Sequence, residues 1–227
     1  MTGVIQRSQQ KVNVGVVGYP PPDYPFTMTE TRTLLVDRLV PLQISSTRIR
    51  HAAAVSLFAL LTAALAQVRI PLGFTPVPVT GQTLAVLLSG AVLGAKRGAA
   101  SQALYVVLGM IGLPFYSNGT GGWEVATGPT MGYLVGFIAA AALVGRLAEH
   151  RHDRSLIASL AAMSLGSLVI YTCGAAWLAY SLDIPIATGE SNAITLGVTP
   201  FLLGDIIKMC LAGAATASAW RLIHRNK

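Results

Sequence analysis

The chain has 227 residues, of which 53% are hydrophobic and only 11% are charged, and its mean hydropathy is +0.60. The apolar residues form long blocks, which is typical of a polytopic membrane protein and excludes an ordinary soluble domain. The net charge of +7 does not indicate nucleic-acid binding, because the basic residues flank the apolar blocks instead of alternating with aromatic residues on one domain. Cys173 and Cys210 lie inside apolar blocks without metal-ligand spacing or a disulfide framework, so we expect no metal site.

The N-terminal segment differs from the rest of the chain in composition. It contains the run Pro20-Pro21-Pro22 and lacks the basic start, apolar core and small-residue cleavage site of a secretory signal. We therefore predict a polar, flexible cytoplasmic tail over residues 1–47 and a transmembrane substrate-binding domain over residues 48–227.

Six apolar blocks follow the tail. A membrane-spanning helix needs roughly 20 mainly apolar residues, with a lower limit near 17. The blocks cover residues 52–68, 79–95, 99–113, 130–147, 155–182 and 193–223. They predict an all-α integral membrane protein with a six-helix transmembrane bundle. The second and third spans are short, and Pro200 predicts a bend in the sixth.

The basic residues predict the orientation of the bundle. Only Arg69 lies at one set of span ends, whereas ten basic residues lie at the other. These ten are Arg48, Arg50, Lys96, Arg97, Arg146, Arg151, Arg154, Arg221, Arg225 and Lys227. Because cytoplasmic loops are enriched in lysine and arginine, and the number of spans is even, we predict that both termini are cytoplasmic and that the protein lies in the lipid of the cell membrane.

The outer connection between the first two predicted spans is apolar and rich in proline. Its sequence, IPLGFTPVP at 70–78, cannot form a regular helix. Non-helical backbone of this kind is tolerated at membrane depth where protein covers it or where it lines a cavity. We predict that the loop is a lid.

The outer connection between the third and fourth spans combines glycine with aromatic and polar residues. Glycines such as Gly122 allow backbone to approach a ligand closely. Tyr116, Asn118 and Trp123 supply flat apolar faces and polar groups. The segment is therefore a candidate binding loop, and the aromatic residues disfavour the alternative, an ordinary exposed turn.

Small residues recur at helical spacing in several spans. Glycines at positions 90, 94 and 98, and at 128, 132 and 136, predict close helix packing. On the first span, Ala59 and Ala63 extend a smooth stripe that begins at Ala52 and Ser56. This stripe faces either another helix of the bundle or a separate subunit.

Asp205 and Lys208 are the only charged residues between Glu190 and Arg221. Placing one such residue at the centre of a membrane helix costs roughly 2.5 to 3.5 kcal/mol, so their presence calls for a reason. At i and i+3 they share a helix face and can neutralise each other. They form either a self-compensating pair inside the bundle or a site for a solute that carries an acid and hydrogen-bond donors.

Motifs for catalysis and for ATP hydrolysis are missing from the sequence. There is no phosphate-binding loop, since GAKRG at 94–98 is a basic turn between two spans, and there is no zinc-protease or serine-hydrolase motif. We therefore predict that the protein is not an enzyme and needs no cofactor. The single intramembrane acid gives weak support to a proton-coupled carrier.

Five segments together resemble the BioY family, the biotin-specific substrate-capture (S) components of energy-coupling factor (ECF) transporters. The segments are PLGFTPVPVTGQTL at 71–84, LGAKRG at 93–98, GMIGLP at 109–114, GPTMGYL at 128–134 and GDIIK at 204–208. They occur in family order over about residues 52–221, which makes the resemblance more specific than any one motif.

The resemblance implies an ECF S-component fold, in which six membrane helices hold a ligand near the outer surface under a lid formed by the first outer loop. It implies two kinds of partner, a transmembrane coupling subunit and cytoplasmic ATPase subunits, and ATP hydrolysis then belongs to the ATPases. In this fold family an alanine stripe on the first helix contacts the coupling subunit, which assigns that contact to Ala59 and Ala63.

The resemblance also implies roles in biotin binding. Asp205 is expected to accept hydrogen bonds from the ureido N–H groups of biotin, and Lys208 to donate to its carbonyl or carboxylate. Gln82 and Asn118 are expected to make secondary polar contacts. Tyr116, Trp123 and Tyr133 are expected to pack against the apolar rings, and Gly122 of the same loop completes the predicted substrate-binding set.

Three alternatives remain open from the sequence. They are an S component for a different vitamin, a membrane-embedded enzyme that modifies a lipid or lipid-linked substrate, and a proton-coupled carrier that uses Asp205.

Overall fold

The computed structural model describes Leu35, residues 47–150 and residues 155–225. The first half contains helix α1 (Thr47–Gln67), strands β1 (Arg69–Ile70) and β2 (Val79–Thr80), and helices α2 (Gln82–Leu93) and α3 (Ala95–Met110). A 3-10 turn (Ser117–Gly119) and a short helix α4 (Trp123–Ala126) lead to α5 (Met131–Glu149) and α6 (Leu156–Leu182). The chain ends with α7 (Ala193–Gly197), a second 3-10 turn (Thr199–Phe201) and α8 (Leu202–Arg225).

Each predicted span contains one of the main helices. Within the described ranges, four segments are long and apolar enough to cross a membrane: Arg48–Gln67, Met131–Glu149, Leu156–Leu182 and Ala193–Leu222. The other two, α2 and α3, have 12 and 16 residues. They are therefore about 18 and 24 Å long, against a hydrocarbon core of about 30 Å. The prediction that these two spans are short is confirmed, and most of α2 is buried by its neighbours.

The bend predicted at Pro200 is confirmed, and it has a local cause. The Asn192 side chain accepts from the Thr195 N–H at 2.9 Å while the Thr195 hydroxyl accepts from the Asn192 N–H at 3.1 Å, so α7 begins with a capping box. Pro200 has no N–H and lies in the 3-10 turn that follows. A new helix, α8, then starts at Leu202 and carries Asp205 in its first turn.

Of the glycines predicted to allow close packing, Gly90, Gly98, Gly132 and Gly136 lie where backbones meet, whereas Gly94 separates α2 from α3 and Gly128 precedes α5. A Cβ atom on Gly90 of α2 would lie 2.6 Å from the Ala141 carbonyl oxygen of α5, and one on Gly98 of α3 would lie 3.0 Å from the Gly90 Cα atom. On α5, a Cβ atom on Gly136 would lie 3.0 Å from the Ile170 Cα atom of α6. Any side chain at these positions would push the helices apart, so α2, α3, α5 and α6 form a tightly packed group.

The structure corrects the prediction for the alanine stripe of α1. Ala59 is 1% exposed and Ala63 is 7% exposed, and both pack into the core of the bundle. In this conformation neither side chain is available to a second subunit. Nearer the start of α1, the same stripe is exposed at Ala52 and Ser56, and the neighbouring Leu57 is exposed as well. Small residues at helical spacing indicate close packing, but the spacing does not say whether the partner is in the same chain.

The predicted N-terminal tail lies almost wholly outside the described residues. Within residues 1–47 the structure describes only Leu35, which is buried, and Thr47, which begins α1. The boundary between a tail and a membrane domain therefore stays a prediction.

Candidate functional site

A cavity of about 450 Å³ lies among the loops and helix ends opposite the ends that carry most of the basic residues. Its volume falls within the roughly 300–1,000 Å³ that is typical of small-molecule sites. The walls come from the 70–78 loop, the 3-10 turn at Ser117–Gly119, and helices α2, α3, α5, α6 and α8. Asp205 and Lys208 both line it, so the charged pair predicted from the sequence faces an internal space.

The loop predicted to be a lid forms one wall of this cavity. Its two ends are joined by the antiparallel pairing of β1 with β2, in which Arg69 is opposite Thr80. In the middle of the loop, the Thr75 hydroxyl donates to the Leu196 carbonyl at 2.8 Å. Val77 is buried, whereas Phe74 at the tip is 62% exposed. The loop is thus fixed at both ends and held to the chain just before α8.

Asp205 is the centre of a polar cluster, which we call the cavity cluster: Asp205, Lys208, Thr83 and Tyr171. The Asp205 Oδ1 atom accepts from Lys208 Nζ at 2.6 Å and from the Thr83 hydroxyl at 3.0 Å. Its Oδ2 atom accepts from the Tyr171 hydroxyl at 2.6 Å. Asp205 is 4% exposed, so the protein itself solvates the buried carboxylate with three donors.

The cavity cluster keeps some hydrogen-bonding capacity. A carboxylate offers about four acceptor positions, and three are occupied in Asp205. The Lys208 ammonium has three N–H donors and contacts two oxygens, those of Asp205 and Thr83. The pair is therefore self-compensating, as one interpretation of the sequence held, and it can also engage a ligand through one acceptor position and one donor.

Gln82 also lines the cavity, where it is bound to two protein groups. Its Nε2 atom donates to the Tyr105 hydroxyl at 2.6 Å, and its Oε1 atom accepts from the Thr80 hydroxyl at 2.8 Å. Tyr105 is fully buried and packs edge-on against Tyr116, with ring centroids 5.8 Å apart. These bonds fix the orientation of the Gln82 amide at the start of α2.

Tyr116 and Tyr133 present rings rather than hydroxyl groups to the cavity. The Tyr116 hydroxyl donates to the Val106 carbonyl at 2.7 Å, and the Tyr133 hydroxyl donates to the Gly197 carbonyl at 2.6 Å. Burial raises the pKa of Tyr116 to about 12, so its phenol stays protonated and keeps donating. With both hydroxyls bound to backbone, what remains for a ligand is the apolar surface of the two rings.

The glycine-rich loop contributes only part of its predicted set. Asn118 lines the cavity, together with the neighbouring Ser117. Gly122 and Trp123 are not among the described residues that line it. Gly122 has φ 99°, which favours glycine, and it leads into α4, where Trp123 is 64% exposed. Contact of these two residues with a substrate stays a prediction that the cavity does not support.

Two members of the cavity cluster were not predicted from the sequence. Thr83 directly follows Gln82 within the motif at 71–84, so its position in that motif was an available signal. Tyr171 lies within the long apolar helix α6, and nothing in the local pattern distinguishes it from a packing residue. Arg69 and Glu124 also line the cavity, and they add one charge of each sign to its wall.

Comparison with known proteins gives a consistent result. A model of the BioY family matches residues 36–225. The biotin transporter BioY of Rhodobacter capsulatus is 38% identical over 184 residues, covering 76% of this chain and 95% of that protein. The biotin transporter BioY of Thermotoga maritima is 40% identical over 157 residues, covering 69% of this chain and 87% of that protein.

A solved structure shows the same likeness in three dimensions. It is the S-component for biotin from an ECF-type ABC transporter, and it matches with a TM-score of 0.69 at 26% sequence identity. The match covers 78% of this chain and 94% of the other. The predicted helical membrane fold of the S-component type is therefore confirmed.

Proposed function

The chain belongs to the BioY family, and on that basis we propose that it is the biotin-binding S component of an ATP-driven ECF transporter. The BioY family is a family of transporter components, so the chain is a membrane transport protein and not an enzyme. The observation that carries the proposal is the cavity, because it is lined by the Asp205–Lys208 pair of the family-like motif at 204–208.

The chemistry of biotin matches the groups that line the cavity. Its ureido ring has two N–H donors and one carbonyl acceptor, its valeryl chain ends in a carboxylate, and its sulfur-containing ring is apolar. Asp205 has an acceptor position for a ureido N–H group, and Lys208 has a donor for the carbonyl or the carboxylate. The rings of Tyr116 and Tyr133 provide apolar surface for the fused rings and the chain.

The partners follow from the family, since this sequence has no phosphate-binding loop of its own. A membrane-embedded coupling subunit and cytoplasmic ATPase subunits provide the energy for release. The coupling subunit contacts the exposed start of the α1 stripe, Ala52 and Ser56, together with the neighbouring Leu57, because Ala59 and Ala63 further along the stripe are buried. This assignment keeps the stripe that was predicted for the contact and moves the contact towards the start of α1.

We propose that the cavity lies on the outer side of the membrane, and the distribution of basic residues supports this orientation. Lys96, Arg97 and Arg146 lie at the helix ends opposite the cavity, and Arg69 lies at its rim. By the positive-inside rule the basic ends are cytoplasmic, and both termini are then cytoplasmic as well.

Equilibrium binding of labelled biotin to the purified full chain in detergent, with no other subunit present, tests the proposal. We expect saturable binding at one site per chain that unlabelled biotin competes and that thiamine and riboflavin do not. Competition by another vitamin, without biotin binding, would change the proposed ligand within the same fold. No binding of any vitamin to a folded, monodisperse sample would contradict the proposal. It would favour a membrane-embedded enzyme for a lipid-linked substrate or a proton-coupled carrier.

A further inference from the structure

Gln67, the last residue of α1, connects that helix to the 3-10 turn between α3 and α4. Its Nε2 atom donates to the Tyr116 carbonyl at 3.1 Å and to the Ala63 carbonyl at 3.0 Å. Its Oε1 atom accepts from the Gly119 N–H at 2.8 Å. One carboxamide therefore contacts both ends of a segment that lies about fifty residues further along the chain.

The two groups that Gln67 binds are the two that define a turn. In an ordinary four-residue β-turn, the carbonyl of the first residue accepts from the N–H of the fourth. Here the first residue is Tyr116 and the fourth is Gly119, and the Gln67 amide engages both groups. Because an amide has the same donor and acceptor as a peptide bond, it suits this position. The turn is thereby held against the end of α1 through its backbone.

The turn carries two polar side chains that line the cavity, Ser117 and Asn118. The Ser117 hydroxyl oxygen is buried and has no hydrogen-bond partner within the described part of the chain. Asn118 has φ 69°, in the left-handed region that residues other than glycine seldom adopt. Such a conformation persists only where the surroundings support it. The contacts of Gln67 provide that support from outside the turn.

We propose that Gln67 is a positioning residue for the ligand: by binding the Tyr116 carbonyl and the Gly119 N–H, it holds Ser117 and Asn118 where they hydrogen-bond a ligand in the cavity. This inference rests on the proposed function, since it takes the cavity as the biotin site. Gln67 does not itself line the cavity, so it acts through the turn and not by contact with the ligand.

The test variant is Gln67→Met, because methionine has a similar length and volume but cannot form the amide hydrogen bonds. We expect biotin Kd for the purified full chain to rise about tenfold, mainly through faster dissociation. The matched control is Val68→Ala, at a neighbouring residue that is 63% exposed, and its Kd should stay within about twofold of the parent. An unchanged Kd in Gln67→Met would overturn the proposal.

A double-mutant cycle separates positioning of the turn from a general loosening of the bundle. In a chain that already carries both Ser117→Ala and Asn118→Ala, Gln67→Met should raise Kd by no more than about twofold, because both side chains that it positions are gone. A full tenfold loss in both backgrounds would show that Gln67 acts elsewhere and would overturn the proposal. Cycles with Ser117→Ala alone and with Asn118→Ala alone then divide the effect between the two side chains.

Hydrogen exchange gives a check that does not depend on ligand. The Gly119 amide should exchange faster in Gln67→Met than in the parent and in Val68→Ala, and equal exchange in all three would contradict the contact. If the parent chain fails to bind biotin, the proposed function fails. If the parent binds and Gln67→Met binds equally well, only the inference about Gln67 fails.

Discussion

Two clusters of polar side chains in the described part of the bundle differ in charge and in access to the cavity. The cavity cluster joins α2, α6 and α8 around the Asp205 carboxylate and the Lys208 ammonium. The second, which we call the sealed cluster, joins α1, α2 and α3 and consists of Thr62, Ser89, Ser101 and Gln102. All four residues of the sealed cluster are 0% exposed, and none is among the described residues that line the cavity.

The sealed cluster is satisfied within the protein. The Gln102 Nε2 atom lies 3.0 Å from the Ser89 hydroxyl oxygen and 3.2 Å from that of Thr62. The Ser89 and Thr62 hydroxyls donate to carbonyls of their own helices, at 2.7 and 2.9 Å. Burial of polar groups therefore does not by itself mark a binding site in this protein. The cavity cluster differs because it is charged, has unused hydrogen-bonding positions and borders empty space.

The largest expected effect comes from Asp205→Asn, which removes the negative charge of the cavity cluster and nearly preserves the shape of the side chain. The amide would direct N–H groups at donors that now bind the carboxylate, and Lys208 would lose its ion-pair partner. We expect biotin Kd to rise at least tenfold, about 1.4 kcal/mol, in an equilibrium binding assay. Thermal unfolding in detergent controls for the stability of the variant.

Lys208→Ala tests the other half of the ion pair. It removes the donor available to a ligand carbonyl or carboxylate, and it leaves Asp205 with Thr83 and Tyr171 as donors. We again expect at least a tenfold rise in Kd, about 1.4 kcal/mol, by the same assay. Unchanged affinity in both this variant and Asp205→Asn would show that the cavity cluster is a structural pair like the sealed one.

Gln102→Leu should show the opposite pattern, a loss of stability with no loss of affinity. The substitution removes the hydrogen bonds of Gln102 to Thr62 on α1 and to Ser89 on α2. Interhelical hydrogen bonds in membrane proteins contribute about 0.6 kcal/mol each, so we expect destabilisation of about 1 kcal/mol. The measurements are the midpoint of thermal unfolding and the biotin Kd of the folded protein. A tenfold change in Kd without a change in stability would show that the sealed cluster also acts in binding, and would contradict a purely structural role for it.

Tyr171→Phe should have a smaller effect on binding than either substitution in the ion pair. It keeps the ring and removes the hydroxyl that donates to the Asp205 Oδ2 atom at 2.6 Å. Because the carboxylate then has one fixed donor fewer to orient it, we expect Kd to rise about threefold, roughly 0.6 kcal/mol. Tighter binding in this variant would instead mean that Tyr171 competes with the ligand for the carboxylate. Tyr180→Phe, at an exposed tyrosine on the same helix, is the matched control.

Local features of the sequence were enough to predict much of the fold. Hydropathy located the helices to within a few residues at most ends, and Pro200 located the break before α8. The i, i+3 spacing of Asp205 and Lys208 predicted a pair on one helix face, which the structure joins at 2.6 Å. These features depend on backbone sterics, on chain length against bilayer thickness and on neighbouring positions in one helix, so a short window of sequence contains them.

Tertiary structure alone decided which faces and which distant residues meet. The spacing of Ala59 and Ala63 predicted a packing stripe, but only the arrangement of the helices directed it into the bundle. The Thr83 hydroxyl donates to Asp205, although the two residues are 122 positions apart in the sequence. Helical periodicity defines a face within one element, whereas the neighbour of that face is set by how all the helices pack. Only the folded chain therefore shows which residues line the cavity and that Gln67 contacts the turn beside it.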